Sequence, residues 1–243
     1  LLLLSGGGSA LLEQPLLPLE QLQELTEQLL RSGAEIGEIN QIRKRLSAVK
    51  GGRFAQHCAP AKVLTLALSD VLGDRPEMIA SGPSWPDPAP PSAALSLAKK
   101  YHLRCSPQCL QLLGLPAVSQ LSNTEYHIIG SVKQLCAAAS EKLQSLGYRC
   151  IFLTDCLSCQ ARDAGAYLAA IARSQQDLTR PTAYIAGGET VVHVTGHGKG
   201  GRNQELALSA ALGIQGLRDT AVFSLGSDGT DGPTDAAGGF VTG

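Results

Sequence analysis

Charge of either sign is scarce and nearly cancels: 20 lysines and arginines stand against 21 aspartates and glutamates, a net charge of −1. That balance argues against a broad electrostatic grip on nucleic acid. No run of about 18 apolar residues occurs, so no segment reads as a membrane-spanning helix. The absence of GxxxxGK[ST] excludes a P-loop nucleotide site, and the acidic stretch near residue 230 lacks the ligand spacing of an EF-hand. Seven cysteines form an odd set without the dense, regular spacing of a secreted disulfide scaffold. Cys156 and Cys159 make a lone CxxC, without the second pair or clustered histidines of a structural zinc site, and read as ordinary loop. Leu1 to Leu4 lack the charged region of a signal peptide, and Met78 is the sole methionine. The chain therefore reads as the middle of a longer protein, soluble and cytoplasmic by default, or mitochondrial if a transit peptide lies upstream.

What is present is ample apolar material, 44% of 243 residues, enough for one large core or two smaller ones. Leu1 to Leu4 read as the end of a strand that opens into Ser5-Gly6-Gly7-Gly8-Ser9, where glycine permits close approach of the backbone to another group. Leu19, Leu22, Leu25 and Leu29, then Ile36, Ile39, Ile42, Leu46 and Val49, recur at helical spacing. The second helix is expected to expose Asn40, Arg43, Lys44 and Arg45 and to deliver Lys50-Gly51-Gly52-Arg53 at its end. Val63 to Leu68, continuous and apolar, suits a strand covered on both faces, ending at Ser69-Asp70. Gly73 to Pro91 reads as a long loop containing Ile79-Ala80-Ser81-Gly82-Pro83. Tyr126 to Ile129, Ser131 to Leu146 and Arg149 to Leu153 read as one βαβ unit, so the fold class is α/β. A helix from Ala161 to Ser174, a polar link from Gln175 to Pro181, strands at Tyr184 to Ala186 and Val191 to Thr195, a helix from Leu206 and a strand from Ala221 to Leu225 complete the pattern.

Four strands end in loops of Gly, Ser and Asp, and in open α/β sheets ligands sit outside such strand ends. Glycine-rich loops exposing N–H groups near a helix start bind anions, above all phosphate. Ser5 to Ser9 and Gly196 to Gly201 fit that role, although tight turns between packed elements would need the same residues. Arg202, with Asn203 at the entrance to a helix whose dipole disfavours a cation, suits a bound anion; a surface ion pair is the plainer alternative. Lys50 and Arg53 follow the same logic, except that helix C-termini attract cations in any case. Asp70, Asp228, Asp231 and Asp235 could hold Mg²⁺ or orient an attacking hydroxyl, or the last three could form Asx-turns capping a helix that begins near Asp235.

Five stretches in order, Leu4 to Leu11, Glu38 to Arg53, Ile79 to Ser84, Gly200 to Glu205 and Asp228 to Gly238, resemble the class II glycerate kinases, whose C-terminal part is the MOFRL domain. The resemblance spans nearly the whole chain and implies transfer of the ATP γ-phosphate to D-glycerate, giving 2-phosphoglycerate, with Mg²⁺. It implies a Rossmann-like domain with a parallel or mixed sheet and helices on both faces, expected over 1–176, and a smaller α/β MOFRL domain over 181–243, with the active site in the cleft between them. Both domains are expected to be incomplete: the family has further sequence before Ser5, including a lysine that acts on phosphate, and more after the acidic loop. On this reading Arg202, Asp228, Asp231, Asp70 and Lys50 act in the transfer, and Ser5, Gly6, Gly7, Gly8, Ser9, Gly198, Gly200, Gly201 and Asn203 hold ATP. Arg53, Ser81 and Asn40 hold the substrate, and Asp228 and Asp231 hold Mg²⁺. Neither nucleic acid nor membrane is an expected partner, and a homo-oligomer is left open.

Two rival readings remain. Gly196, Gly198 and Gly201 match GxGxxG, which would suit an NAD(P)-dependent oxidoreductase with Asp219 near the ribose. A non-catalytic sensor of phosphorylated or carboxylated metabolites would use the same anion loops without turnover.

Overall fold

The computed structural model describes residues 1–175 and 179–243, and the chain divides into two compact units, Leu1–Ser131 and Val132–Gly243. Three residues of the expected polar link, 176–178, lie outside the described residues. Among the described residues no helix is long and apolar enough to cross a membrane.

The first unit carries a three-stranded parallel sheet in the order β1 (Leu2–Leu4), β2 (Val63–Leu68), β3 (Thr124–Gly130). Between β1 and β2 run α1 (Gly8–Leu11), α2 (Leu19–Arg31), α3 (Ile36–Arg45) and α4 (Arg53–Cys58). A 3₁₀ turn at Ile79–Ser81, α5 (Pro91–Lys100) and α6 (Pro107–Leu113) precede β3. Local chemistry sets several of these limits. Gly33, at φ +72°, follows the end of α2, and α6 starts where the Ser106 hydroxyl accepts from the Cys109 amide at 3.2 Å with Pro107 in the first turn. Leu25 and Leu29 of α2 pack with Ile39 and Ile42 of α3, Ala94 and Ala98 of α5 and Leu113 of α6. Burying a side chain such as Leu29 or Ile42 contributes about 2 kcal/mol.

Two expectations for this unit change. β2 is covered on one face only: Val63, Thr65 and Ala67 are buried while Leu64 and Leu68 are exposed, because the Leu4, Ala67, Ile79 and Ala80 cluster occupies a single side of the sheet. The polar face of α3 is also not exposed. Asn40, Lys44 and Arg45 are buried and Arg43 half-buried, because loop backbone folds back over that face. Arg45 donates to the carbonyls of Leu115 at 2.7 Å and Ala89 at 3.1 Å, and the Asp87 carboxylate lies 3.9 Å from both Lys44 and Arg45.

In the second unit α7 (Val132–Ser145) leads to β4 (Arg149–Leu157), α8 (Ala161–Ser174) and β5 (Thr182–Gly188), then α9 (Arg202–Ile214), β6 (Ala221–Leu225) and β7 (Gly238–Thr242). The βαβ unit is β4–α8–β5, whose strands pair in parallel from Arg149↔Thr182 onward. It is not the expected β3–α7–β4, since β3 pairs with β2 in another sheet. Periodicity gives the order strand–helix–strand but carries no information about which edges pair. β6 and β7 are antiparallel, with Ala221 opposite Thr242 and Leu225 opposite Gly238. α8 and α9 approach closely, with Ala161 and Ala164 of α8 clustered with Leu206 of α9; a methyl group on Gly165 would fall 2.2 Å from the Leu206 carbonyl and 3.0 Å from the Ala210 amide nitrogen. Val191 to Thr195 is not a strand: Val191 makes a single bridge to Gln160. No helix starts at Asp235, because the chain turns there into β7.

Candidate functional site

Parallel pairing of β1 with β2, Leu4 beside Ala67, places the loop after β1 next to the end of β2. A side chain on Gly6 would begin 3.6 Å from Oδ2 of Asp70, so the exposed Asp70 carboxylate flanks this loop. Gly7 adopts φ +81° at the entrance to α1, and a Cβ on Gly8 would lie 3.0 Å from that of Ala80. The hydroxyls of Ser9 and Ser81 hydrogen-bond at 2.8 Å. Ala80, Ser81 and Gly82 are successively left-handed, at φ 50°, 62° and 64°. For the two non-glycine residues this costs about 1 kcal/mol or more each. The turn is held by neighbours: the Gly51 amide donates to the Ser81 carbonyl at 3.0 Å, and the Gly52 amide to that of Gly82 at 2.7 Å.

The cations expected to face an anion in this unit turn inward. Lys50 is fully buried; its Nζ donates to the carbonyls of Ser9 at 2.7 Å and Leu12 at 2.9 Å and lies 3.3 Å from Glu13 Oε2. Burial pushes the Lys50 ammonium below its ordinary pKa, with Glu13 opposing the shift. Arg53 donates to the carbonyls of Lys44, Arg45 and Ser47, which cap the C-terminal end of α3, the plainer of its two sequence readings. Ser81 is fully buried with its hydroxyl on Ser9, and Asn40 is buried with its Oδ1 unpaired.

In the second unit the two motifs separated in sequence interlock. Asp231 is buried and accepts from the Asn203 amide and Nδ2 through Oδ1, both at 3.0 Å. Its Oδ2 accepts from the Gln204 amide at 2.9 Å and Nε2 at 3.0 Å. The carboxylate therefore caps α9 from outside the helix, satisfying two of the N–H groups that a helix leaves unpaired at its start. Burial raises the pKa of this carboxyl, but the four donors outweigh it and hold the group below its ordinary value. Gly201 has to be glycine: a Cβ there would sit 2.2 Å from Asp231 Cγ. Asn203 Oδ1 in turn accepts from Ser224 at 2.6 Å, and Gln204 Nε2 also reaches Thr234 Oγ1 at 3.0 Å.

Arg202, first residue of α9, is half-exposed and paired with Glu189, which follows β5. Asp228 is exposed and forms an Asx-turn with the amide and hydroxyl of Thr230, at 3.1 and 3.0 Å. Those bonds, and more weakly the charge of Arg202, hold its carboxyl below the usual range. Gly198 and Gly200 lie in an exposed irregular segment before α9, and Asp235 is exposed. The dinucleotide reading is not kept: a Rossmann fingerprint opens in a tight turn at a strand end, whereas β5 ends at Gly188 and Gly196 comes eight residues later. Asp219 sits in a turn at φ +51° before β6.

The donor set limits what a metal could find. Among the described residues no group of three or more His, Cys, Asp or Glu could hold an ion. Asp231 has its lone pairs occupied, which leaves Asp228 as a single carboxylate, a set that fits Mg²⁺ carried mainly by phosphate oxygens. Sequence reasoning missed Glu189, Glu13, Ser224 and Thr234. Glu189 alone had a local signal, since it directly follows the Gly187-Gly188 strand end.

Residues 1–114 match a family described as a domain of unknown function, DUF4147, and residues 182–243 match the MOFRL family. The chain is 51% identical over 249 residues to the D-glycerate 2-kinase of Thermotoga maritima, covering all of this chain and 60% of that protein. It is 34% identical over 300 residues to the glycerate kinase of Macaca fascicularis, covering all of this chain and 74% of that protein. The crystal structure of the Thermotoga maritima glycerate kinase superposes with a TM-score of 0.93 at 50% identity, over 99% of this chain and 59% of that one. The chain thus spans about three-fifths of the length of this bacterial relative. With its motifs folded as the MOFRL clasp around α9 and the glycine loop after β1, and with likeness along its whole length, the chain belongs to the class II glycerate kinase family.

Proposed function

We propose that this protein is a glycerate 2-kinase that transfers the γ-phosphoryl group of ATP to D-glycerate, giving 2-phosphoglycerate and ADP. The observation that carries the reading is the whole-chain likeness to a D-glycerate 2-kinase. Two features of the geometry support it. The loop from Ser5 to Ser9 is held beside the exposed Asp70 carboxylate, and Arg202 presents a half-exposed guanidinium near Asp228.

In this reading the Ser5–Ser9 loop cradles an anionic group of ATP or glycerate through its amides. Asp70 accepts the proton of the substrate hydroxyl as that oxygen bonds the γ-phosphorus and the bond to the β,γ-bridging oxygen breaks, leaving ADP. Arg202 exchanges Glu189 for the phosphoryl oxygens and stabilises the charge that spreads over them in the transition state. Mg²⁺ borne by the phosphates would meet the protein at Asp228 and would neutralise charge there. Gly200, Gly201 and Asn203 set the start of α9 and so aim Arg202, while Asp231 supports them from behind.

Incubation with Mg-ATP and D-glycerate, followed by ³¹P NMR, should show a new phosphomonoester resonance of 2-phosphoglycerate beside ADP. If ATP remains intact while the Thermotoga maritima enzyme consumes it under the same conditions, the proposal fails for this chain. Binding of ATP or glycerate without turnover would then favour the sensor reading.

A further inference from the structure

The segment Lys50-Gly51-Gly52-Arg53 makes bonds to three separate parts of the first unit. The Lys50 ammonium holds the carbonyls of Ser9 and Leu12, at the far end of the glycine loop and of α1, with Glu13 beside it. The amides of Gly51 and Gly52 hold the left-handed turn at Ser81 and Gly82, and Arg53 holds the end of α3. The loop and the turn are themselves joined through Ser9 and Ser81, and Arg43 adds a contact of 3.5 Å to the Ser9 carbonyl. Lys50 has no exposed surface with which to meet a ligand.

We infer that Lys50 is a positioning residue: its buried ammonium, tied to Glu13, fastens the Ser5–Ser9 loop against the Ala80–Gly82 turn so that the loop's amides stay arranged for an anionic substrate group. The ligand concerned is a carboxylate or phosphate, so this inference rests on the kinase reading for the identity of the ligand but not for the fastening itself. The physical basis is that a fully buried cation bridging two carbonyls is lost only at a cost, since the ammonium cannot turn to water and the partly buried carbonyls of Ser9 and Leu12 lose their shared donor. A loop rich in glycine has little else to restrain its backbone.

The test is amide hydrogen exchange of the wild-type chain and of Lys50→Met and Lys50→Arg, each alone and with ATP plus D-glycerate. The Met variant should exchange the amides of residues 6–12 about tenfold faster, with residues 64–67 of β2 unchanged. The Arg variant, which keeps the charge and can reach two carbonyls, should bring both this exchange and the affinity for ATP and glycerate back toward wild type. Wild-type exchange at 6–12 in the Met variant would overturn the inference, as would equal acceleration throughout the first unit. If Lys50→Met does not fold, Glu13→Gln removes one partner and should accelerate the same segment by about threefold; no acceleration there also overturns it. Absence of any ligand effect on the wild-type chain would count against the kinase reading, whereas the ligand-free exchange rates decide the role of Lys50.

Discussion

In the first unit the loop after β1 is fastened through its carbonyls by the Lys50 ammonium, whereas in the second the start of α9 is fastened through its amides by the Asp231 carboxylate. The signs differ because the backbone ends differ. Ser9 and Leu12 present unpaired carbonyls at the close of a short helix, which call for a cation, and Asn203 and Gln204 present unpaired amides at the opening of one, which call for an anion. In both units the fastening charge is buried, and the more exposed charges lie elsewhere, at Asp70 and at Arg202 in its pair with Glu189. The two units therefore separate the charges that shape the backbone from those that could touch a substrate.

The strongest way to break this comparison is Asp231→Ala, which leaves two helix amides and two side-chain amides without their acceptor. It should destabilise the second unit by about 3 kcal/mol, seen as an earlier urea transition in far-UV circular dichroism. A loss below about 0.5 kcal/mol would mean that water replaces the carboxylate and that the clasp contributes little. Arg202→Ala should do the opposite: kcat/KM for phosphotransfer falls about a hundredfold while the urea midpoint stays in place, since a half-exposed ion pair adds little to stability. Unchanged kinetics would remove Arg202 from the site.

A pH series sharpens the contrast. Asp231 has its folded-state pKa lowered from 3.8, so the stability it gives is complete above that value and is lost as pH falls through the lower folded one. Amides at the start of α9 should lose protection in that acid range, and Asp231→Asn should abolish the pH dependence while lowering protection at every pH. The smallest effect expected is at Ser81. Ser81→Ala should cost about 1 kcal/mol by removing the bond to Ser9, whereas Ser81→Gly should be nearly neutral, because relief of the left-handed strain offsets the lost bond. If Gly destabilises as much as Ala does, the turn at Ala80 to Gly82 is not strained.

Much of the fold was legible where one local rule decided the outcome. The heptad-like leucines of α2, the apolar run of β2 and the span of α8 were read within a residue or two from periodicity and punctuation. The failures share a cause. The β3–α7–β4 unit, the exposed face of α3 and the strand at Val191 to Thr195 each required knowing which surface another segment would cover, and neither period 2 nor period 3.6 contains that. In the candidate site the glycine loops, Arg202 and the acidic loop were found as motifs, yet Asp231 and Asp228 were indistinguishable. One proves buried with four donors, the other exposed in an Asx-turn.

The sequence by itself determined that the chain is α/β, that strands open into glycine and aspartate loops, and that five motifs stand in the order of one family. These follow from spacing, turn chemistry and residue type, which act over a few bonds. Only the tertiary structure decided which charges face inward: Lys50 meets carbonyls 41 and 38 residues away, and Asp231 meets amides 28 and 27 residues away. Whether a charged side chain shapes the backbone or stays free for a ligand depends on burial and on partners far along the chain, and those exist only once the chain has folded.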